Sequence, residues 1–185
     1  MKLFRPYPWG GKGHQRSAQA RAEREADPVA RRCDLRRACE PQDKAARILQ
    51  INAALNDLSG TVEIHRVGLS DKPGKGSIAE QSNNPGASRL EADGSGDIEL
   101  VAGDELVGTR PVHFVKIDTE GFEIPVLRGL AGTIARDRPP LFVEVETENL
   151  CQFEAFCAEH DYRIADRFQR YETSVNCLAL ASATG

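Results

Sequence analysis

Apolar positions along the chain change period several times, and each change marks an element. Ile48, Ile51, Leu55 and Leu58 recur at spacings of 3, 4 and 3, which predicts the buried face of an amphipathic helix. Pro41 suits the first turn of that helix, Glu40 closes a short strand before it, and Asn56, Asp57 and Ser59-Gly60 end it. "TVEIHRVGL" alternates as a strand from Thr61 to Leu69, and "SDKPGKG" reads as its turn-rich exit. Residues 77 to 104 carry Gly, Pro, Asn and Ser between short apolar pieces. They predict loops with a strand or hairpin around Ile98 to Val101.

In "VHFVKIDTEGFEIPVLRGL", Val112, Phe114, Val115 and Ile117 form the near-continuous apolar run of a central strand covered on both faces. A helix follows from about Phe122 to Ala135, broken or redirected near Gly129 and Gly132. Pro139-Pro140 separates it from a second buried strand, "LFVEVE". Phe153, Phe156, Cys157 and His160 share a helical face, while "YRIADRF" and "SVNCLALA" read as strands whose short connection makes them an antiparallel pair. The order describes a doubly wound α/β sheet with an antiparallel C-terminal strand pair. Residues 1–37, with eight arginines and almost no large apolar residue after Trp9, stand apart as an Arg/Ala-rich segment ahead of a domain at 38–185. "GGKGH" lacks the leading strand, spacing and hydroxyl residue of a phosphate loop, and reads as a turn.

Composition narrows the partners. A net charge of −4 argues against a nucleic-acid or anionic-membrane surface. No run approaches the length of a membrane helix, and the start lacks the apolar core of a signal, so a cytoplasmic location is expected. Five cysteines without knuckle or redox spacing read as structural thiols, and His65 and His113 as ordinary strand residues, with no metal site implied.

The candidate chemistry lies at strand ends, where open α/β sheets bind their ligands. Glu40 follows one strand, Ser70 and Asp71 another, and Asp118 with Glu120 the central one. Glu40 is placed to accept hydrogen bonds from ribose hydroxyls, and a carboxylate at Asp118 would hold a cationic group electrostatically. Lys116 and Glu144, at comparable places in two neighbouring strands, suggest a structural ion pair. Glu120-Gly121 also suits the start of a helix, and Asn83, Asn84 and Ser88 read as a solvated loop in preference to acceptor contacts.

"CEPQDKAARILQINAALNDL", "VGLSDKPG", "VKIDTEGFEIPVLRGL" and "LFVEVE", in this order, resemble the FkbM family of methyltransferases over residues 38 to 181. The resemblance implies a Rossmann-like class I methyltransferase sheet and the cofactor S-adenosyl-L-methionine. It also implies O-methylation of a hydroxyl on a sugar, polyketide or similar small molecule. It places Glu40 on the cofactor ribose, Ser70 and Asp71 near the adenine, and Asp118 and Glu120 along the methyl-transfer site. Asp118, Glu120 and Glu146 are the candidate bases.

The family's opening strand and its glycine-rich loop have no counterpart before Glu40, where the chain reads "GGKGHQRSAQARAEREADPVARRCDLRR". That strand lies mid-sheet in the family, so its loss would leave unpaired edges that invite pairing with another chain. The expectation is a truncated or frame-altered member. It is either a methyltransferase whose pocket is completed by other residues, or a noncatalytic remnant acting as a binding module without cofactor affinity.

Overall fold

A computed structural model describes residues 35–79, 88–169 and 172–182. Three small sheets form the frame. In the first, β1 (Arg36–Cys39) pairs in parallel with β2 (Val62–His65), with Arg36 opposite Val62. Helix α1 (Asp43–Leu55) connects them. In the second, β7 (Val115–Asp118) runs parallel to β8 (Leu141–Glu146). Strand β10 (Ser174–Ala181) lies antiparallel to β8 and to β9 (Tyr162–Phe168), giving the order β7-β8-β10-β9 with the expected antiparallel terminal pair. The third sheet, ordered β3-β6-β4-β5, comes from β3 (Gly68–Ser70), β4 (Gly74–Ala79), β5 (Arg89–Glu91) and β6 (Ile98–Ala102). Among the described residues, no strand pairs with the second edge of β1 or of β7.

The core follows from period-2 burial. Val115, Ile117, Leu141, Val143, Val145, Cys177 and Ala179 are fully buried. They share one apolar cluster with Ile124 and Leu127 of α3 (Glu123–Gly129), Leu130, Ile134 of α4 (Ala131–Asp137), and Phe153, Phe156 and Cys157 of α5 (Leu150–Glu159). The alternate positions Lys116, Asp118, Phe142, Glu144 and Glu146 are only half-buried. Strand β7, expected as a central strand, is thus the edge of its sheet among the described residues, shorter than the apolar run suggested and closely covered on one face rather than both.

Four further expectations are corrected. The face of α1 turned inward is Ala46, Leu49 and Ala53, while Ile48, Ile51 and Leu55 point outward. Both triplets have helical spacing, and the small alanines let the helix lie close to the sheet. The strand expected over residues 61–69 is interrupted at Arg66-Val67, so that β2 and β3 enter different sheets. The exit turn gives way at Gly74 to β4. The short helix α2 (Gly103–Val107) was not foreseen. The helix after β7 does break where glycine predicted, between Gly129 and Ala131. A Cβ on Gly129 would sit 1.8 Å from the Ser70 carbonyl oxygen, so glycine alone lets α3 close on β3.

Arg37 fastens β1 to this frame. Its Nε donates to Glu63 Oε2 at 3.0 Å, and its Nη1 donates to the carbonyls of Leu106 and Val107 at 2.7 and 3.2 Å. Those carbonyls belong to the last turn of α2, which has no intrahelical partner for them.

Candidate functional site

The C-terminal ends of β1 and β7 open onto one cavity of ≈ 230 Å³. Cys39, Glu40, Pro41 and Gln42 form one wall, Asp118, Thr119, Glu120 and Phe122 another, and Val67, Gly68, Leu69, Ile78, Ser88 and Leu90 the remainder. Acids from strands whose sequence positions differ by nearly eighty residues therefore share a single space. Their placement is topological, because both parallel strands end at the same edge of the molecule. Glu40 is oriented locally, its Oε1 accepting the Gln42 amide at 3.1 Å.

Of the sequence-derived candidates, Glu40, Asp118 and Glu120 line the cavity. Ser70 and Asp71 lie just beyond Leu69 and do not. The Ser70 hydroxyl, almost fully buried, donates to Asp71 Oδ1 at 3.1 Å. Glu146 sits outside the cavity lining, its Oε2 accepting from Arg89 Nη2 at 3.2 Å. Ser88 corrects the reading of a solvated loop: it is buried and forms part of the wall. Asn83 and Asn84 fall outside the described residues.

Strand register explains how the carboxylates are managed. Glu144 stands opposite Asp118, and Lys116 opposite Phe142. Lys116 therefore does not pair with Glu144 as expected. Its Nζ donates instead to Asp118 Oδ2, two residues along the same face, at 3.0 Å, and Glu144 Oε1 accepts the Ser174 hydroxyl at 2.8 Å. Among the described residues, no cation pairs with the Glu120 carboxylate. Burial, and then the carboxylates of Asp118, Glu144, Glu146 and Glu123, push its carboxyl above the usual range.

The turn carrying Glu120 is not the start of a helix, as its Glu-Gly sequence suggested. Glu120 and Gly121 have φ of 50° and 100°, and α3 begins only at Glu123. The fully buried Glu123 carboxylate stabilises this left-handed turn, with Oε1 accepting the Gly121 amide at 2.6 Å and Oε2 accepting Asn149 Nδ2 at 2.9 Å. Asn149 Nδ2 also donates to the Gly121 carbonyl at 3.1 Å. From the other side Arg89 Nε donates to the Glu120 carbonyl at 3.1 Å, while its Nη2 donates to Glu148 Oε1 at 2.6 Å. A Cβ on Gly121 would lie 2.5 Å from Arg89 Nη2, so the guanidinium rests where only glycine leaves room.

Glu123, Asn149 and Arg89 were missed as site residues. Glu123 lay inside the quoted "KIDTEGFE" motif and could have been suspected as a buried acid. Nothing in sequence spacing pointed to Arg89 or Asn149, 31 and 26 residues from the groups they hold.

Comparison with known proteins adds an independent line. The family profile described as "Methyltransferase FkbM domain" matches residues 18–169. No curated protein sequence matches the chain. Among solved structures, the chain is similar to the methyltransferase FkbM from Methylobacillus flagellatus KT, with a TM-score of 0.56 and 17% identity over 80% of this chain and 36% of that one. It thus spans about a third of that protein's length. A ribosomal protein L11 methylase from Lactobacillus delbrueckii subsp. bulgaricus aligns with a TM-score of 0.48 and 11% identity, over 79% of this chain and 57% of that one.

Proposed function

The chain belongs to the FkbM methyltransferase family, and from that premise we propose that it binds S-adenosyl-L-methionine between the ends of β1 and β7 and methylates a hydroxyl of a small molecule. The observation that carries this reading is the sharing of one cavity by Glu40, Asp118 and Glu120. The donor set suits such a ligand. Glu40 offers carboxylate oxygens to a ribose diol, and Val67, Leu69, Ile78 and Leu90 offer apolar surface to an adenine ring. Asp118 and Glu120 place negative charge where a sulfonium would need it. Bound there, the cofactor would supply an electrophilic methyl group.

The chain's own residues would orient the acceptor and receive its proton. Much of the acceleration in a displacement of this kind comes from alignment. Of the three candidate bases, Asp118 is engaged by Lys116 and Glu146 by Arg89. The Glu120 carboxylate is held by neither cation, Arg89 bonding only its main-chain carbonyl, and burial and the neighbouring acids raise its proton affinity, which favours it as the proton acceptor. Glu120 is therefore the proposed base. Transfer of labelled methyl from S-adenosyl-L-methionine to a panel of sugars and hydroxylated secondary metabolites tests this. Glu120→Gln is expected to lower turnover about 100-fold while leaving cofactor affinity within a few-fold. Undiminished turnover in that variant would remove Glu120 from the role.

A second reading, a binding module without cofactor affinity, is favoured by one feature: no described strand flanks the second edge of β1 or β7. The two readings separate on cofactor binding alone.

A further inference from the structure

Helix α1 has two apolar stripes and uses one. Ala46, Leu49 and Ala53 are buried, whereas Ile48, Ile51 and Leu55 are 59%, 58% and 77% exposed. Three large aliphatic side chains aligned over two turns differ from the single surface hydrophobes that need no explanation. The stripe is also polarised. Lys44 and Arg47 flank its N-terminal half, and Asp57 lies exposed just past its C-terminal end. Asp43, the acid at the opposite end, is already partnered by Arg66 at 3.4 Å.

We infer that a second copy of this chain covers the stripe, the two α1 helices packing antiparallel about a two-fold axis at Ile51. That arrangement sets Lys44 and Arg47 near the partner's Asp57, whereas a parallel one would oppose like charges. It also brings the exposed, small Ala54 opposite the partner's Ile48, leaving room for the larger side chain. The contact is self-complementary, as a two-fold interface must be. One helix face is less than the roughly 800 Å² per partner of a standard interface, so the dimer is weak, with a Kd of about 10–100 μM. The inference is independent of the catalytic reading.

Sedimentation equilibrium of the full chain across that concentration range tests it. The wild type is expected to dimerise, and Ile51→Glu, which places two carboxylates at the axis, to be monomeric. Lys44→Glu and Asp57→Lys should each weaken association several-fold, and the double variant should restore it. All three positions are exposed, and circular dichroism melts would verify that each variant folds. Three results would overturn the inference. One is a monomer at every concentration. Another is a dimer indifferent to Ile51→Glu, held by some other surface such as the open strand edges. The third is a monomer in which Ile51→Cys is slow to react with a thiol reagent, meaning that the chain covers its own stripe.

Discussion

Glu123 shows how much of the site depends on a residue that never reaches the cavity. Its fully buried carboxylate accepts from the Gly121 amide and from Asn149 Nδ2, and its removal takes that acceptor from both donors. Glu123→Ala is expected to cost about 3 kcal/mol of stability, measured by urea unfolding. Burial holds this carboxyl above its ordinary range. The folded state therefore binds the proton more tightly than the unfolded one. That contribution is complete below the unfolded value of about 4.3 and is lost as pH rises through the folded value. The stability difference between wild type and Glu123→Gln should accordingly shift against the wild type as pH rises from about 4 towards neutrality; the opposite slope would contradict the assignment. Sequence exposed the acids Asp118 and Glu120 because they interrupt an apolar run. It hid their surroundings: Lys116 turns to Asp118 on its own strand rather than to Glu144 across the sheet, and Arg89 arrives from a distant strand to hold the Glu120 main chain.

Among elements, type and order were more legible than facing. Strands β8, β9 and β10 fall where "LFVEVE", "YRIADRF" and "SVNCLALA" were read as strands, because one face of each contributes to the large core. Helix α1 was located correctly but turned wrongly, since two stripes compete and hydrophobicity alone favours isoleucine and leucine over alanine. The break between α3 and α4 was legible from glycine, whereas its purpose, the approach of α3 to the Ser70 carbonyl, was not. Gly129→Ala should lower stability by about 2–4 kcal/mol in a thermal or urea melt. The nearest obstacle to its methyl group is main chain that cannot swing aside. Gly132→Ala, meeting the flexible Asp104 carboxylate, should cost less.

For the molecule as a whole, the cavity owes its existence to two parallel strand pairs that end at one edge, with the β3-β6-β4-β5 sheet closing a wall through Ser88 and Leu90. Its pairing of Glu40 with Asp118 and Glu120 was anticipated by topology. Of the third sheet, β6 falls where a strand was expected near Ile98 to Val101, whereas β4 and β5 are short and turn-rich and were not anticipated. Whether this cavity binds S-adenosyl-L-methionine is decided by isothermal titration of the folded chain with S-adenosylhomocysteine. One site is expected, with a Kd in the micromolar range, about −8 kcal/mol, weakened at least tenfold by Glu40→Ala. A folded protein, verified by a cooperative melt, that takes up no S-adenosylhomocysteine would contradict this expectation.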